Sequence, residues 1–248
     1  MTPLKARIGD WLAAAYALAA PLRPTPGCRV LMYHAIGGKV AGDAQGLYSL
    51  APELFARHVR MLAGGSTVVA LERGVAAGYG LAITFDDGYR DNLTVAAPLL
   101  VEAALPFTVF VTPAFIDSGE PQYLTRADVK TLADMPGITI GAHGFSHCRL
   151  TACDDAALAG ELKNSRTWLE DLLGRPVHTM SYPHGAVDGR VRAAAAAAGF
   201  TIAAGSRFGS LRQGNDPLVV PRTDIWAGDD VGRLSAKIAG HWDWMAWR

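Results

Sequence analysis

Cysteine is scarce in this sequence, and its scarcity limits how the fold can be held together. The 248 residues include only three cysteines, Cys28, Cys148 and Cys153. An odd number at uneven spacing excludes the paired disulfide framework of small secreted domains. Cys148 directly follows His147 and could supply a thiolate to a metal, although an isolated cysteine is more often inert packing.

The sequence also lacks an excess of either charge and any internal apolar run long enough to span a membrane. Lys and Arg number 23 and so do Asp and Glu, which gives a net charge of zero. Without a basic excess we expect no nucleic-acid partner. Half of the residues are hydrophobic, which excludes a disordered chain. No linker or low-complexity tract interrupts residues 25–248, so we predict one domain there.

The N-terminal segment, residues 1–24, has its own pattern. Apolar residues recur at helical spacing between residues 4 and 20, namely Leu4, Ile8, Trp11, Ala15 and Leu18. This pattern predicts an amphipathic helix that either packs on the domain or contacts a membrane peripherally. Ala17-Leu18-Ala19 imitates a signal cleavage site, which is a third reading. Without a clear signal or a disulfide pattern, we expect the protein in the cytoplasm or on the inner membrane, and an exported form stays open.

Strand-like and helix-like segments alternate through the rest of the chain. This alternation indicates parallel βαβ units and an α/β fold, either a barrel or a doubly wound open sheet. The helices are expected near residues 52–62, 92–104, 125–133, 154–173 and 191–198. The strands are expected at Cys28–His34, Thr67–Leu71, Leu81–Phe85, Phe107–Val111, Ile138–Ala142, Val177–Tyr182, Phe200–Ala204 and Leu218–Val220.

Residues suited to catalysis follow three of these strands, where functional groups of α/β folds gather. The three segments are Asp86-Asp87-Gly88, His143 to His147 and Tyr182-Pro183-His184-Gly185. Asp86-Asp87-Gly88 ends one strand, and its two carboxylates can divide between binding a metal and acting as a base. A simple turn would explain the same three residues. His143 and His147 follow another strand, and on a helical turn their spacing would place both imidazoles on one face. Two imidazoles and one carboxylate form the ligand set of catalytic zinc sites.

The three segments together resemble one family. Thr84-Phe85-Asp86-Asp87-Gly88, His143 to His147, and Ser181-Tyr182-Pro183-His184-Gly185 followed by Gly199-Phe200 are similar, in that order, to the motifs of the polysaccharide deacetylases. These are also called NodB-homology or carbohydrate esterase family 4 enzymes. The resemblance implies a distorted (β/α)7-type barrel and a divalent metal, usually zinc, with nickel or cobalt as alternatives. It implies Asp87, His143 and His147 as ligands and Asp86 as the general base.

The sequence departs from the family at two positions. Ser181 stands where the third motif carries the arginine that pairs with the catalytic aspartate, and the late Leu-x-His motif that supplies the general acid is absent. Tyr33-His34 is similar to an early strand of the poly-N-acetylglucosamine deacetylases, which makes His34 our candidate acid; a core histidine is the competing interpretation. Arg222 is our candidate partner for Asp86, and its alternative is a local pair with Asp216 or Asp224.

The resemblance implies hydrolysis of the acetamide of an N-acetylated amino-sugar glycan, or of a lipid-linked saccharide. A backbone N–H at His184 would stabilise the oxyanion. Tyr182, together with Tyr33, Tyr48 and the Trp residues, would offer stacking surfaces to sugar rings. The Trp-rich tail, residues 241–248, could rim the cleft, pack on the barrel or lie at a membrane. The competing function is a catalytically idle carbohydrate-binding module, which the two departures favour.

Overall fold

Seven parallel strands form the central sheet of the protein, which we describe from a computed structural model. The structure describes residues 9, 11–16, 18, 27–40 and 42–247. Its strands are β1 Cys28–Tyr33, β4 Gly80–Phe85, β5 Phe107–Val111, β6 Ile138–Ala142, β7 Thr179–Ser181, β8 Ile202–Ala204 and β9 Thr223–Asp224; β2 Ala35–Ile36 and β3 Ser49–Leu50 pair separately. Along the sheet the strands follow the order β8-β7-β6-β5-β4-β1-β9, and the sheet curls into a half-barrel. The predicted α/β fold with a distorted (β/α)7-type barrel is confirmed.

The central strands are apolar on both faces, as expected where helices cover a parallel sheet. Every residue of β1 and of β5 is buried. Residues of β1 and β4 pair from Cys28 with Gly80 to Tyr33 with Phe85, so the two strands end together. This register brings the residue after β1, His34, to the same edge of the sheet as Asp86, the residue after β4.

Helices cover the sheet, and several begin at side-chain caps. Thr125 and Asp128 form a capping box, and the side chains of Asp154 and Asp188 cap the next two long helices. The helix predicted near residues 92–104 is divided into a π-helical stretch, Asn92–Ala96, and the α-helix Ala97–Glu102, which has Pro98 in its first turn. The α-helices span Pro52–Gly65, Leu71–Ala77, Ala97–Glu102, Pro113–Asp117, Arg126–Asp134, Asp155–Leu173, Gly189–Ala197 and Val231–Ile238.

Two predicted strands are wrong. In place of a strand at Leu218–Val220 the chain forms a 3-10 turn, Pro217–Val219, and only Val220 bridges to Ala204 of β8. In the segment Thr67–Leu71 the only β-bridge joins Val68 to Leu81, and Leu71 already begins a helix. Asp216 accepts the N–H of Leu218 with its side chain and the N–H of Val219 with its carbonyl, so these donors are not available to a sheet, which explains the first error.

The two ends of the chain pack against each other. Residues 11–16 are helical, and Ala13 is buried beside Trp242, while the predicted apolar face is exposed, with Trp11 74% and Leu18 90% accessible. Leu4 and Ile8 lie outside the described residues. Asp243 accepts two hydrogen bonds from Arg29, of 2.8 and 2.9 Å, so the Trp-rich tail is fastened to the domain. Among the described residues no helix is both long and apolar enough to cross a membrane.

Candidate functional site

The acidic pair after β4 is buried at the edge of the sheet. Asp86 is 2% exposed and Asp87 is 6% exposed, and the backbone N–H of Asp86 donates to the carbonyl of Tyr33. Asp87 adopts a left-handed conformation with φ of 73°. The turn therefore directs the two carboxylates to different partners, as the sequence predicts.

The carboxylate of Asp87 faces both histidines. Its Oδ1 lies 3.4 Å from Nε2 of His143 and 3.2 Å from Nε2 of His147, and the three groups can place one ligand atom each within 4.8 Å of one another. These distances match the edge of a tetrahedron built with metal–ligand bonds of about 2.1 Å, which is about 3.4 Å. Asp87 Oδ1 is buried and has no hydrogen-bond partner in the described part of the chain. The three residues therefore fit a divalent cation.

Electrostatics keep the Asp87 carboxylate ionised. Burial alone would raise the pKa of Asp87, but His143 and His147 outweigh it and hold that pKa well below its usual range. A carboxylate that stays charged in a buried site needs positive partners, and a cation would meet that need.

The two histidines do not lie on a helical turn, and this part of the prediction is wrong. They lie on a loop after β6, in which Gly144 and His147 both have φ of 65°. The loop is held by Glu161, whose carboxylate accepts the backbone N–H groups of Phe145 and Ser146 and the Ser146 hydroxyl, at 2.7–2.9 Å. A helical turn was the simplest geometry for the spacing, but the left-handed glycine gives the loop another way to bring both rings inward.

Left-handed backbone is concentrated at this site. The described non-glycine residues with positive φ are Asp87, Ala104, His147 and His184, and three of the four surround the proposed metal position. Such conformations cost of order 1–3 kcal/mol each and persist where surrounding structure enforces them. The placement of these side chains therefore lowers the stability of the fold.

The orientation of His143 is set by Ser181 at the end of β7. Nδ1 of His143 lies 3.0 Å from the Ser181 carbonyl and 2.6 Å from its hydroxyl. A proton on Nδ1 can donate to this carbonyl, which leaves Nε2 with its lone pair directed at Asp87. The Ser181 hydroxyl also lies 3.3 Å from Asp86 Oδ1. The residue that replaces the family's arginine therefore contacts both His143 and Asp86.

Arg222 reaches Asp86 from another strand end of the site. Its two terminal nitrogens each donate to one oxygen of Asp86 at 2.7 Å, and its Nε donates to the carbonyl of Gly205. Arg222 is 1% exposed, so the pair is shielded from water. Burial alone would raise the pKa of Asp86, but Arg222 and His143 outweigh it and lower that pKa. The local alternative is not realised, because Asp216 pairs with Arg192.

His34 lies on the wall of the cleft that contains Asp86 and Asp87. The cleft has a volume of about 1040 Å³. The His34 ring lies 4.6 Å from the ring of Tyr48, and its Nδ1 is buried with no hydrogen-bond partner in the described part of the chain. Aromatic and apolar side chains surround the opening, namely Tyr48, Tyr89, Phe115, Tyr123, Phe208, Trp226 and Met245.

Asp224 lines the cleft, although the sequence indicated for it only an alternative pairing with Arg222. It ends β9 opposite Met32, two residues before His34, and its carboxylate is buried. Burial raises the pKa of Asp224, and His34 and Lys237 oppose that rise. Lys237, itself fully buried, donates to the backbone carbonyl of Asp224 at 2.6 Å. The position of Asp224 just after Arg222 was the available signal, but a strand of two residues is too short to recognise from sequence.

Two of the residues predicted to stack on sugar rings do not line the cleft, so this part of the prediction is wrong. Two other predicted site residues do line it. Tyr182 is fully buried, lies off the cleft, and donates its hydroxyl to the carbonyl of Leu218; Tyr33 is also buried, against Phe85. An aromatic ring beside a strand end packs as readily into the core as into a cleft. Tyr48 and His184 do line the cleft, and the His184 ring lies 4.5 Å from that of His147.

Comparison with known proteins agrees with this geometry. The family model described as polysaccharide deacetylase matches residues 76–203, which carry Asp86, Asp87, His143 and His147. The chain belongs to the polysaccharide deacetylase family. The predicted family resemblance is thereby confirmed.

Individual polysaccharide deacetylases resemble the chain at moderate identity. YxkH of Bacillus subtilis (strain 168), provisionally named a polysaccharide deacetylase, is 26% identical over 156 residues, 63% of this chain and 55% of that protein. Chitin deacetylase 1 of Cryptococcus neoformans is 29% identical over 119 residues, 48% of this chain and 24% of that protein. The chain thus spans about half of one curated relative and about a quarter of the other.

The fold also matches a solved structure along nearly its whole length. The Streptococcus pyogenes deacetylase PplD, solved in complex with acetate, superposes with a TM-score of 0.77 and 22% identity. The match covers 87% of this chain and 99% of that one. The half-barrel of this chain is therefore also the fold of PplD.

Proposed function

We propose that this chain is a metal-dependent N-deacetylase that removes acetate from N-acetylhexosamine units of a glycan. The observation that supports it best is the buried Asp87–His143–His147 cluster beside an ion-paired Asp86. A ligand set of two imidazoles and a carboxylate favours zinc, with nickel and cobalt as alternatives. The family match supports the reaction class, and the named chitin deacetylase supports the type of substrate.

The proposed reaction divides the work between the two aspartates. A cation held by Asp87, His143 and His147 would polarise the acetamide carbonyl and lower the pKa of bound water toward ~7. Asp86 is placed to accept a proton from the attacking water, and Arg222 keeps the carboxylate oriented and ionised. The lowered pKa of Asp86 means that the base is already deprotonated at neutral pH.

The second half of the reaction returns a proton to the sugar nitrogen. His34 lies on the cleft wall near Asp86 and donates the proton to the departing amine, so that acetate and a free amino sugar leave. Asp224 lines the same cleft as His34. The backbone N–H of His184 is our candidate for the oxyanion, as its residue borders the cleft beside His147.

The charges of the cleft favour a neutral glycan over a phosphate-linked one. Among the described residues that line it, Arg222 is the one lysine or arginine, and Asp86 already occupies both of its terminal nitrogens. Asp43 and Glu120 add negative charge to the lining. A pyrophosphate near this cleft would meet no free cationic side chain on its walls. We therefore favour a polysaccharide or oligosaccharide over the lipid-linked form.

The test compares Asp86→Asn with the wild type on N-acetylglucosamine oligomers. We expect acetate release to fall by about 10²–10⁴-fold, the usual contribution of a general base, while bound metal measured by elemental analysis stays unchanged. Asp171→Asn is the matched control, because Asp171 is exposed on a helix. An Asp86→Asn protein with most of its activity would refute the base. A wild-type protein that binds the oligomers and metal but releases no acetate would establish the idle module.

A further inference from the structure

Two of the three cysteines lie side by side next to the metal-ligand loop. The sulfur atoms of Cys148 and Cys153 are 3.2 Å apart, and Cys148 directly follows His147. Both side chains are partly buried, whereas Cys28 is fully buried in β1. A separation of 3.2 Å exceeds a disulfide bond of about 2.05 Å by little more than one ångström.

The backbone between the two cysteines already has the shape that brings them together. Leu150–Ala152 form a 3-10 turn, and the N–H of Cys153 donates to the carbonyl of Leu150. Leu150 is fully buried and anchors the turn in the core. From outside the turn, Arg190 donates to the carbonyl of Cys153 at 2.8 Å. Bond formation therefore requires a small side-chain movement and no refolding of the turn.

We propose that Cys148 and Cys153 form a reversible disulfide that braces the loop carrying His147. A thiol of the pair attacks a small-molecule disulfide such as oxidised glutathione, and one glutathione thiol leaves. The second cysteine then attacks the mixed disulfide, and the second glutathione leaves. The cysteine pair loses two electrons and two protons, and one oxidised glutathione becomes two reduced ones.

The expected consequence concerns the metal, and this part rests on the proposed function. His147 is held in a left-handed conformation that loops adopt only when they are supported. A cross-link directly after it removes alternative loop conformations in which His147 points away. We expect the oxidised protein to release a bound divalent cation more slowly than the reduced protein.

The disulfide can be mapped without reference to metal or activity. Trypsin cleaves after Lys130, Arg149 and Lys163, so the two cysteines fall in separate peptides, residues 131–149 and 150–163. After treatment of the full chain with oxidised glutathione we expect these peptides to be joined until a reductant is added. Thiols titrated in denaturant should fall from the three of the reduced chain to one, Cys28.

Matched variants separate the cross-link from other outcomes. Cys148→Ser and Cys153→Ser should each abolish the joined peptides, and Cys28→Ser should retain them. Separate peptides, each free or carrying glutathione, would overturn the proposed disulfide. If the joined peptides form but a chromogenic chelator removes zinc equally fast from oxidised and reduced protein, the bracing role is refuted. A wild type that binds no zinc, nickel or cobalt in either state would refute the proposed function while the mapped disulfide stands.

Discussion

Replacing Arg222 by methionine should destabilise the protein more than any exposed arginine substitution. Arg222 donates two charged hydrogen bonds of 2.7 Å to Asp86, and both side chains are almost completely buried. Methionine fills a similar volume but removes the charge and all donors. Asp86 is then left as a buried carboxylate without its main partner, and the carbonyl of Gly205 also loses a donor.

The magnitude follows from the burial of the pair. Breaking a buried ion pair by removing one partner costs about 3–5 kcal/mol. His143 Nε2 lies 3.8 Å from Asp86 and offers partial compensation, so the lower end is the better expectation. For a chain of this size each kcal/mol shifts the melting temperature by roughly 2–4 °C, which gives a decrease of roughly 6–12 °C.

The stability difference should also depend on pH, in a direction that the pair determines. In the wild type the pKa of Asp86 is lowered, so its stabilising contribution is present above the ordinary carboxyl pKa and is lost as pH falls through the folded-state value. In Arg222→Met the unpaired, buried carboxylate should have a raised pKa. Acid then protonates it and relieves the penalty. The gap between the two proteins should be largest at neutral pH and should shrink in acid.

Thermal unfolding of chelator-treated protein, followed by circular dichroism between pH 4 and 8, measures both effects without a metal contribution. Arg192→Met is the control, because Arg192 makes a similar pair with Asp216 but is 42% exposed. Such a solvent-exposed pair contributes little to stability. If Arg222→Met melts with the wild type at neutral pH, or if the gap widens in acid, the reasoning about Asp86 is wrong.

Two further substitutions test the surroundings of the base and of the acid. Ser181→Ala should lower turnover by about fivefold, the equivalent of one hydrogen bond of about 1 kcal/mol, and zinc titration should show little change because the Ser181 carbonyl still accepts from His143. Asp224→Asn should leave the melting temperature at pH 7 unchanged or higher, because burial opposes its charge. The same variant should lower acetate release, because His34 loses the nearby carboxylate. A marked loss of zinc in the first variant, or of stability in the second, would contradict these roles.

Much of the fold could be predicted from sequence where a strand or cap carries a strong local signal. β5 and β6 match the predicted Phe107–Val111 and Ile138–Ala142 to the residue, because each is a short apolar run that helices cover on both faces. Thr125 and Asp128 were recognisable because a capping box is a purely local arrangement. β9 has only two residues, and its position depends on pairing with β1, which is remote in sequence.

The site was predictable in its residue types but less so in its backbone. The approach of Asp87, His143 and His147 follows from strand ends that share one edge of the sheet. The left-handed loop at His147 depends on Gly144 and on the distant Glu161, and a spacing of four residues cannot reveal either contact. Tyr182 was predicted to face sugar, and its burial follows from a hydrogen bond to Leu218 in a segment predicted as a strand.

The N-terminal helix shows the same limit for amphipathic patterns. Trp11, Ala15 and Leu18 form the more hydrophobic stripe, yet Gly9 and Ala13 on another face are the buried residues. A small side chain is what the large ring of Trp242 requires of its neighbour, since a methyl group added at Gly9 would lie 2.9 Å from that ring. Complementary shape selected the packed face here, and hydrophobicity alone did not indicate it.

The position of Arg222 has a consequence for how members of this family are recognised. The guanidinium that pairs with Asp86, the proposed base, enters from the segment before β9, while β7 offers a serine in its place. A search that demands arginine in the third motif would discard this chain as inactive, although the charge it looks for is present. A search for the three-dimensional arrangement of side chains around the carboxylate would retain this chain. Active and inactive relatives are then best separated by the charged groups beside the two carboxylate oxygens, whichever part of the chain supplies those groups.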